Sequence, residues 1–386
     1  MDELRNLRDQ IDDIDRELLN LFARRMSVTQ KVGEHKLAHG MAVLDEEREK
    51  EVLAGKAALA PTALKGDVTA LFETIMAISR RQQRRLVSVN GESYAAYLTQ
   101  KAQAAHSPVT DPRVVYQGVP GAYAEEAAAT YFGEDSHRRN LPTWEDVFQA
   151  LQTGEADYGV VPIENSSTGS INQVYDLLAH YGAFIVGEVT LQVSHCLMAR
   201  PGVALDDIQT VYSHEQGLFQ CAPYLKAHPA WAQIPLGNTA AAAKYVSENR
   251  DIPCAAIASE RCAGLYGLNV LARHIAQAEE NATRFVVVAP HMELDPRRDK
   301  ISALFTLPHK SGTLHQIMAV FAAQGLNMMK LESRPIPGHS WEYLFFVDFS
   351  GNLLAPEMDL VLQELTECAT SFRILGNYNS TAVTAI

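Results

Sequence analysis

A regular spacing of apolar residues near the start of the chain constrains the fold most. Leucine and isoleucine recur three and four residues apart from Leu4 to Leu21, and the register continues through Val28 and Val32. This spacing is typical of a helix that packs along a coiled-coil seam. Arg25 occupies a core position of the seam. It is either an arginine that extends from the edge of the seam into water, or a cation placed there to bind an anion.

The remainder of residues 1–90 also favours helices. A break near Gly40 precedes a charged helix from Asp45, and a third helix follows from about Asp67. Three helices of this length cannot enclose a core alone. We therefore expect an intertwined homodimer, or a higher oligomer, in which the long first helix pairs with its twin.

Residues 91–111 predict a linker, because they are polar and end in Ser-Pro and Asp-Pro pairs. A helix that continues to about Ala105 is equally allowed. Residues 112–296 then alternate between strand and helix patterns, which predicts an α/β domain with parallel sheets. A long apolar run at 183–199 suggests that one strand region passes between two lobes.

Two apolar runs in this domain border clusters of polar side chains. Glu164 and Asn165 follow Val160–Ile163, and the polar stretch continues to Ser170. The second cluster, Asn281–Arg284, opens directly into a β-branched run. Side chains at strand ends often line the ligand crevice of α/β sheets. We therefore expect a cleft that binds a polar small molecule.

Residues 297–386 follow a βαββαβ pattern, which is the ferredoxin-like order. Strand-like runs lie at 301–307, 326–334, 341–349 and 372–378, with helices between them near 312–324 and 356–370. The tail after Tyr378 is small and polar, so we expect it to fray.

Composition excludes several classes of protein. The net charge of −13 comes entirely from the chain beyond residue 90, and an acidic protein does not favour nucleic acid. The apolar runs are too short to span a membrane, and the charged N-terminus argues against a signal peptide. Five unpaired cysteines fit reduced thiols in the cytoplasm. The histidines form no metal-ligand pattern, and no phosphate-binding loop is present, so no cofactor is predicted.

Two motifs identify family resemblances. The stretches VVPIENSSTGS and NATRF, at Val160–Ser170 and Asn281–Phe285, closely resemble prephenate dehydratase. The chain before them resembles the all-helical chorismate mutases, and the chain after them resembles an ACT domain, a module that senses amino acids. In this order, the three regions are similar to the bifunctional chorismate mutase/prephenate dehydratases of phenylalanine synthesis.

The resemblance implies a three-helix mutase fold and a site for chorismate. The matching positions are Arg8, Arg25, Lys36, Asp45, Arg48, Glu49, Ser79 and Gln83. Arginines suit the two carboxylates because their planar forks bind bidentately. Lys36 and Gln83 would donate to the breaking ether oxygen, and Glu49 would accept from the substrate hydroxyl. Arg8 would reach into the partner's site.

For the dehydratase, the resemblance implies two lobes like those of periplasmic solute-binding proteins, with prephenate in the cleft. The functional positions are Glu164, Asn165, Ser213, Gln220 and Thr283, with Arg284 as either a carboxylate partner or a loop-orienting residue. Thr283 would hydrogen-bond the leaving group or relay a proton. Glu164 could supply that proton only if burial raised its pKa. His214 is more often a structural histidine. Ala122, Ala124 and Glu215 depart from the family pattern.

The ACT resemblance implies a phenylalanine site shared between two copies. Its candidate residues are Gly312, Leu314, Glu332, Ser333 and Arg334, with Thr313 where the family has alanine. The main alternative is a solute-binding module with an ACT sensor and no catalysis. A narrower alternative keeps the dehydratase and makes the helical region a dimerisation arm.

Overall fold

The computed structural model describes residues 2–88, 107–250, 252–277, 281–336, 342–381 and 383–384. By its internal contacts the chain divides into two units. The first comprises Met1–Leu98, Gly312–Val320 and Ala355–Ala369, and the second comprises Thr99–Ser311, Phe321–Leu354 and Thr370–Ile386. This division differs from the predicted domain boundaries, because residues 297–386 contribute to both units.

Three helices form the N-terminal region, as the periodicity predicts. They are α1 (Asp2–Ala38), α2 (Glu46–Leu59) and α3 (Lys65–Ser88), with a 3-10 turn at Thr62–Leu64. The 37 residues of α1 extend over about 55 Å. Beyond its end, Gly40 takes a φ of +63°, which glycine adopts readily. The carboxylate of Asp45 accepts from the backbone N–H of Arg48 at 3.1 Å and so caps α2.

The predicted seam of α1 is open to solvent in the single chain. Leu7, Ile11 and Leu18 are 51%, 55% and 56% exposed, and Val32 is 42% exposed. Another face of α1 packs on α3. An apolar stripe of this length is typical of an interaction site.

The central region is an α/β domain, as predicted. Its strands are β1 (Val114–Gln117), β2 (Arg138–Leu141), β3 (Tyr158–Asn165), β4 (Gly169–Ser170), β5 (Phe184–Gln192), β6 (Cys196–Ala199), β7 (Thr210–Ser213), β8 (Ala232–Pro235), β9 (Cys254–Ala258), β10 (Asn269–Ala272) and β11 (Ala282–Ala289). Its helices are α4 (Tyr123–Phe132), α5 (Trp144–Gln152), α6 (Asn172–Tyr181), α7 (Glu215–Gln220), α8 (Ala222–Lys226), α9 (Thr239–Glu248) and α10 (Glu260–Tyr266), with a 3-10 turn at Leu205–Asp207.

The strands form two mixed sheets, so the prediction of parallel sheets is wrong in part. The first has the order β16-β5-β11-β3-β1-β2, where β16 is Val383–Thr384 and β4 lies beside β3, and the second has the order β10-β6-β9-β7-β8. Strand β11 runs antiparallel to both β3 and β5. The reason is that β5 leaves the first sheet and β11 re-enters it from the second, so no helical crossover sets their direction.

Several strands that the sequence did not reveal lie at sheet edges. Among them are β2, β8 and β10. Every residue of β8 is exposed, so its sequence lacks the apolar alternation that marks a half-buried strand. The run at 183–199 does pass between sheets, since β5 belongs to the first and β6 to the second. Val193, Ser194 and His195 make the crossing.

The C-terminal region has the predicted βαββαβ order. Its elements are β12 (Lys300–Thr306), α11 (Thr313–Ala323), β13 (Met328–Pro335), β14 (Tyr343–Ser350), α12 (Pro356–Cys368) and β15 (Ser371–Tyr378). The strands form an antiparallel sheet of order β13-β14-β12-β15, which we call the C-terminal sheet.

The C-terminal sheet packs on the first α/β sheet within the second unit. Leu304 and Phe346 belong to the same buried cluster as Ile185 and Val286. At Gly376 the backbone approaches the carbonyl of Ile185 so closely that a side chain would clash. This approach explains why glycine stands in the middle of β15.

The prediction that the tail frays is wrong in part, and the predicted linker is described only at its end. The tail is not frayed throughout, because β16 (Val383–Thr384) pairs with β5 and Ser380 donates its backbone N–H to Asp299. Of the predicted linker, residues 91–106 lie outside the described residues. Beyond them, the backbone N–H of Val109 donates to the hydroxyl of Tyr158 at 3.0 Å.

Candidate active sites

Arg25 and Ser79 meet where α1 packs against α3. Nη1 of Arg25 donates to Oγ of Ser79 at 2.6 Å, and that hydroxyl donates to the carbonyl of Ile75 at 2.8 Å. Burial lowers the pKa of Arg25 from its ordinary value, and a guanidinium retains its charge at neutral pH. Arg25 is therefore a cation held between two helices, which fits the anion-binding interpretation.

Gln83 lies one helical turn beyond Ser79, in a space that Gly33 provides. A Cβ added at Gly33 would lie 2.8 Å from Cγ of Gln83. The Oε1 atom of Gln83 is buried and finds no hydrogen-bond partner among the described residues. Near the end of α1, the ammonium of Lys36 donates to the carbonyl of Val43 at 2.7 Å. Both expected ether-oxygen donors are thus present, and Lys36 is held by a backbone acceptor.

The predicted residues of α2 already have partners in the single chain. Nη1 of Arg80, a residue that the sequence did not single out, donates to both carboxylate oxygens of Glu49. Arg48 bonds Glu51 at 3.0 Å, and the side chains of this pair are 69% and 68% exposed. The cap on α2 gives Asp45 a structural role.

Arg8 does not join the other mutase candidates of its own chain. It lies on the exposed seam side of α1, 17 residues before Arg25. At the rise of an α-helix this separation is roughly 25 Å. A side chain cannot span that distance, so Arg8 does not reach the candidates near Arg25 in its own chain.

Asn165 forms hydrogen bonds with both polar clusters of the dehydratase region. Its Oδ1 accepts from the backbone N–H of Ser167 at 2.9 Å and of Thr168 at 3.2 Å. Because those donors fix the amide orientation, Nδ2 faces the other way and donates to Oδ1 of Asn281 and to Oγ1 of Thr283, each at 2.9 Å. The two polar clusters predicted from the sequence are therefore joined by hydrogen bonds.

The hydroxyl of Thr283 accepts a hydrogen bond but donates to no partner among the described residues. Its oxygen accepts from Asn165, and its residue is 9% exposed. A threonine hydroxyl has one O–H donor and can accept at the same time. The arrangement suits donation to a bound ligand, as the resemblance implies.

Glu164 lies at the side of this cluster and contacts two cations. Oε1 is 3.0 Å from Nζ of Lys330, and Oε2 is 3.8 Å from Nε of Arg284. The side chain of Glu164 is 36% exposed. The burial that a proton-donating Glu164 would require is therefore missing.

The environment of Arg284 does not suit the binding of a substrate carboxylate. Its Nη1 bonds Asp348 at 2.6 Å and lies 3.7 Å from Glu188. Burial alone would lower the pKa of Arg284, but the negative field, led by Asp348, outweighs it and raises the pKa. Side chains alternate along a strand, so Arg284 points away from the face that Thr283 occupies. The structure favours the orienting role over the substrate-binding role.

Gln220 bonds a neighbouring histidine, whereas Ser213 is buried in the core. Oε1 of Gln220 bonds Nε2 of His195 at 2.9 Å, in the segment that crosses between the two sheets. Two residues earlier in that segment, the backbone N–H of Val193 donates to the carbonyl of Asn281 at 2.7 Å. Ser213 is fully buried and donates to the carbonyl of Ile257 at 2.7 Å, so its hydroxyl is committed within the fold.

His195 is a site candidate that the sequence analysis missed. Burial lowers its pKa, although the hydrogen bond with Gln220 opposes that shift. A signal was present, because His195 follows a serine as His214 does. His214 instead accepts from the backbone N–H of Gln216 and caps α7, which fits its expected structural role.

The expected effector residues of β13 face the α/β domain. Glu332 accepts from Oγ of Ser170 at 2.8 Å, and Arg334 bonds Asp176 at 2.9 Å. Between them Ser333 is exposed on the opposite face. In the other unit, Gly312 takes a φ of +85° directly before α11, and Leu314 lies in the first turn of that helix.

Metal-binding clusters and membrane-spanning helices are both absent from the described residues. No group of three or more histidine, cysteine, aspartate and glutamate side chains there could hold a metal ion. Among the helices in these parts of the chain, none is long and apolar enough to cross a membrane.

Two protein-family models match this chain. The model for chorismate mutase type II matches residues 7–84, and the model for prephenate dehydratase matches residues 114–293. The bifunctional chorismate mutase/prephenate dehydratase of Escherichia coli K12 is 35% identical over 390 residues, covering 98% of this chain and 97% of that protein.

Solved structures are also similar. The prephenate dehydratase of Arthrobacter aurescens in complex with L-Phe has a TM-score of 0.64 and 31% identity, covering 70% of this chain and 92% of that one. A structure described as a novel type of quorum quenching acylase has a TM-score of 0.64 and 29% identity, covering 69% and 98%. Because one fold hosts different chemistries, the site residues must support any assignment of roles.

Proposed function

This chain belongs to the family of bifunctional chorismate mutase/prephenate dehydratases, and on that premise we propose roles for its side chains in both reactions. The chain is an enzyme of phenylalanine biosynthesis that rearranges chorismate to prephenate and converts prephenate to phenylpyruvate. The observation that carries the assignment of the chemistry is the joining of Asn165, Asn281 and Thr283 into one hydrogen-bonded cluster.

The mutase site works by holding its substrate and stabilising charge. The rearrangement of chorismate is pericyclic and needs no acid, base or nucleophile, so binding in the reactive shape and stabilising the ether oxygen provide the catalysis. Arg25, oriented by Ser79, binds one carboxylate. Lys36 and the amide N–H of Gln83 donate to the ether oxygen as negative charge develops there.

Two further mutase roles follow from the contacts of α2. Glu49 accepts from the substrate hydroxyl, and Arg80 holds its carboxylate in place. The ammonium of Lys36 has three N–H donors, so it can donate to the ether oxygen while it keeps the carbonyl of Val43. Arg48 breaks its exposed pair with Glu51 to bind a substrate carboxylate, at little cost for a surface pair.

The dehydratase site protonates a leaving hydroxide. The bond between the ring and its carboxylate breaks, carbon dioxide departs, and the bonding electrons enter the ring as the hydroxide leaves from the opposite carbon. Thr283 donates its proton to that hydroxide and regains one from solvent. Asn165 fixes the oxygen of Thr283, and Glu164 accepts from the ring hydroxyl and orients it before it leaves.

The enzyme acts as a dimer through α1. The exposed seam from Leu4 to Val32 supports this proposal, because pairing two seams would remove it from water. The same pairing would carry Arg8 of one copy to the mutase site of the other. Dimerisation therefore completes the site as well as the fold.

Phenylalanine inhibits the enzyme through an ACT domain at residues 297–386. The ferredoxin-like sheet order and the Glu-Ser-Arg-Pro run support this assignment, as does the L-Phe complex of the Arthrobacter relative. Phenylalanine binds where two copies meet, near Gly312 and Leu314 on one side and Ser333 on the other. Inhibition requires it to bind one arrangement of the dimer more tightly than the other.

A cytoplasmic location is part of the proposal. All five cysteines are free, and four of them are buried. Unpaired cysteines are typical of proteins in a reducing compartment.

Two substitutions in the full-length chain test the catalytic assignments, and each serves as the other's control. Lys36→Ala should lower mutase turnover by at least ~10²-fold and spare dehydration of added prephenate. Thr283→Val is nearly isosteric and should lower dehydratase turnover by ~10²-fold while chorismate is still consumed. Loss of both activities in one variant would indicate misfolding. Normal turnover of the targeted reaction would overturn the role of that residue.

A further inference from the structure

We propose that Lys330 of the C-terminal sheet is a positioning residue for the dehydratase reaction and acts through Glu164. The inference rests on the proposed role of Glu164 in orienting the ring hydroxyl. Lys330 lies outside both sequence motifs that mark the dehydratase, and outside the Glu-Ser-Arg-Pro run that begins two residues later.

Lys330 reaches Glu164 from the edge strand of the C-terminal sheet. Alternation along β13 places Lys330, Glu332 and Arg334 on one face, where all three side chains contact the α/β domain. Nζ of Lys330 is 3.0 Å from Oε1 of Glu164 and donates to Oγ of Ser170 at 2.9 Å.

The ammonium of Lys330 is held in one geometry. Only 12% of its side chain is exposed, and Nζ lies 5.4 Å from the centre of the Tyr175 ring. Carboxylate, hydroxyl and ring face thus surround the three N–H donors of the ammonium. A buried cation that is held by three contacts orients its partner far better than the cation of an exposed ion pair does. In an exposed pair, both side chains lose conformational entropy when they are held together.

The contacts of Lys330 also connect Glu164 to the proposed effector site. Ser170 accepts from Lys330 and donates to Glu332, so one hydroxyl joins the two residues of β13. A displacement of β13 would therefore move the ammonium that holds Glu164. The remaining charged neighbour of Glu164 is Arg284, which Asp348 anchors to the same sheet.

Steady-state kinetics on added prephenate, with the full-length enzyme, tests this inference. Lys330→Met keeps the aliphatic stem and removes the charge, and it should lower kcat about tenfold while KM stays within about threefold. Lys330→Arg should recover most of the loss, because it restores a cation. Asp176→Asn is the matched control, since it breaks another ion pair of β13 without touching Glu164, and it should behave as the parent does.

A double substitution separates positioning from packing. If Lys330 acts through Glu164, Lys330→Met should cost nothing further in the Glu164→Gln background. Turnover of Lys330→Met within twofold of the parent, or an undiminished cost in that background, would overturn the inference. Normal turnover of Glu164→Gln alone would overturn the proposed role of Glu164 and this inference with it. Mutase activity in each preparation reports that the chain is folded.

Discussion

The guanidinium of Arg284 lies 2.6 Å from the carboxylate of Asp348 on the C-terminal sheet. Arg284 follows the candidate catalytic Thr283 on strand β11, so one strand carries that candidate hydroxyl and an anchor to the C-terminal sheet. Burial alone would raise the pKa of Asp348, but Arg284 and Lys300 outweigh it and hold the pKa below its usual range. The dehydratase and the C-terminal sheet therefore share a buried charge cluster.

Asp348→Asn should destabilise the second unit. The substitution removes the charge of a buried carboxylate and leaves Arg284 and Lys300, among the described residues, with Glu188 and Glu164 as their acidic partners. Breaking a buried ion pair costs about 3 kcal/mol or more. We therefore expect unfolding of the variant to reach its midpoint at a lower urea concentration. Asp295→Asn breaks an ion pair with Arg297, whose side chain is 85% exposed, and should leave the midpoint unchanged. Equal effects of the two changes would contradict the buried cluster.

Gly33→Ala should impair the mutase selectively. The added methyl would lie 2.8 Å from Cγ of Gln83, so that side chain would have to move from its place between α1 and α3. We expect mutase turnover to fall about tenfold, since a displaced donor loses its hydrogen bond in the transition state. Dehydration of added prephenate should not change.

Gly55→Ala provides the control for that experiment. Gly55 lies in α2 with nothing within 4 Å of an added Cβ. Alanine in an open helix position is stabilising by roughly 0.5–1 kcal/mol relative to glycine. Mutase turnover should therefore be preserved there. A normal rate for Gly33→Ala would show that Gln83 does not need its present position.

Ile14→Glu should weaken the dimer. Ile14 is 56% exposed in the single chain and lies in the middle of the seam. Burying a new carboxylate between two helices is unfavourable, so sedimentation should show a dissociation constant at least ~10²-fold higher. Mutase activity should fall with dissociation if Arg8 serves the partner's site. Asn6→Glu adds the same charge outside the seam and should remain dimeric. A stable Ile14→Glu dimer would exclude the seam as the interface.

Glu332→Gln should reduce inhibition by phenylalanine. Glutamine can still accept from Ser170, but it removes the charge beside Lys330 and Arg334 on the face that joins β13 to the α/β domain. We expect the phenylalanine concentration for half-inhibition of the dehydratase to rise at least tenfold. Glu357→Gln makes the same change on the exposed start of α12 and should leave the inhibition curve in place. If the inhibition curves of the two variants coincide, Glu332 has no part in regulation.

The sequence by itself determined the main helices and the buried strands of this protein and their order. Apolar spacing predicted α1, the α/β alternation and the βαββαβ region, because local periodicity records which face of an element is buried. The polar clusters at Glu164–Ser170 and Asn281–Arg284 were also visible in the sequence, and the family resemblance singled out Asn165 and Thr283 within them. The edge strands β2, β8 and β10 were not predicted, since strands of four residues are too short to show such a periodicity.

Only the tertiary structure decided how charges pair across elements. Lys330 and Glu164 are 166 positions apart in the chain, and no local pattern records their contact. The same is true of Arg284 with Asp348 and of Gln220 with His195. A charged side chain has the same sequence signature whether it binds substrate or another residue. Its role is set by the partner that folding brings within a few ångströms, because electrostatic and hydrogen-bond energies depend on that distance.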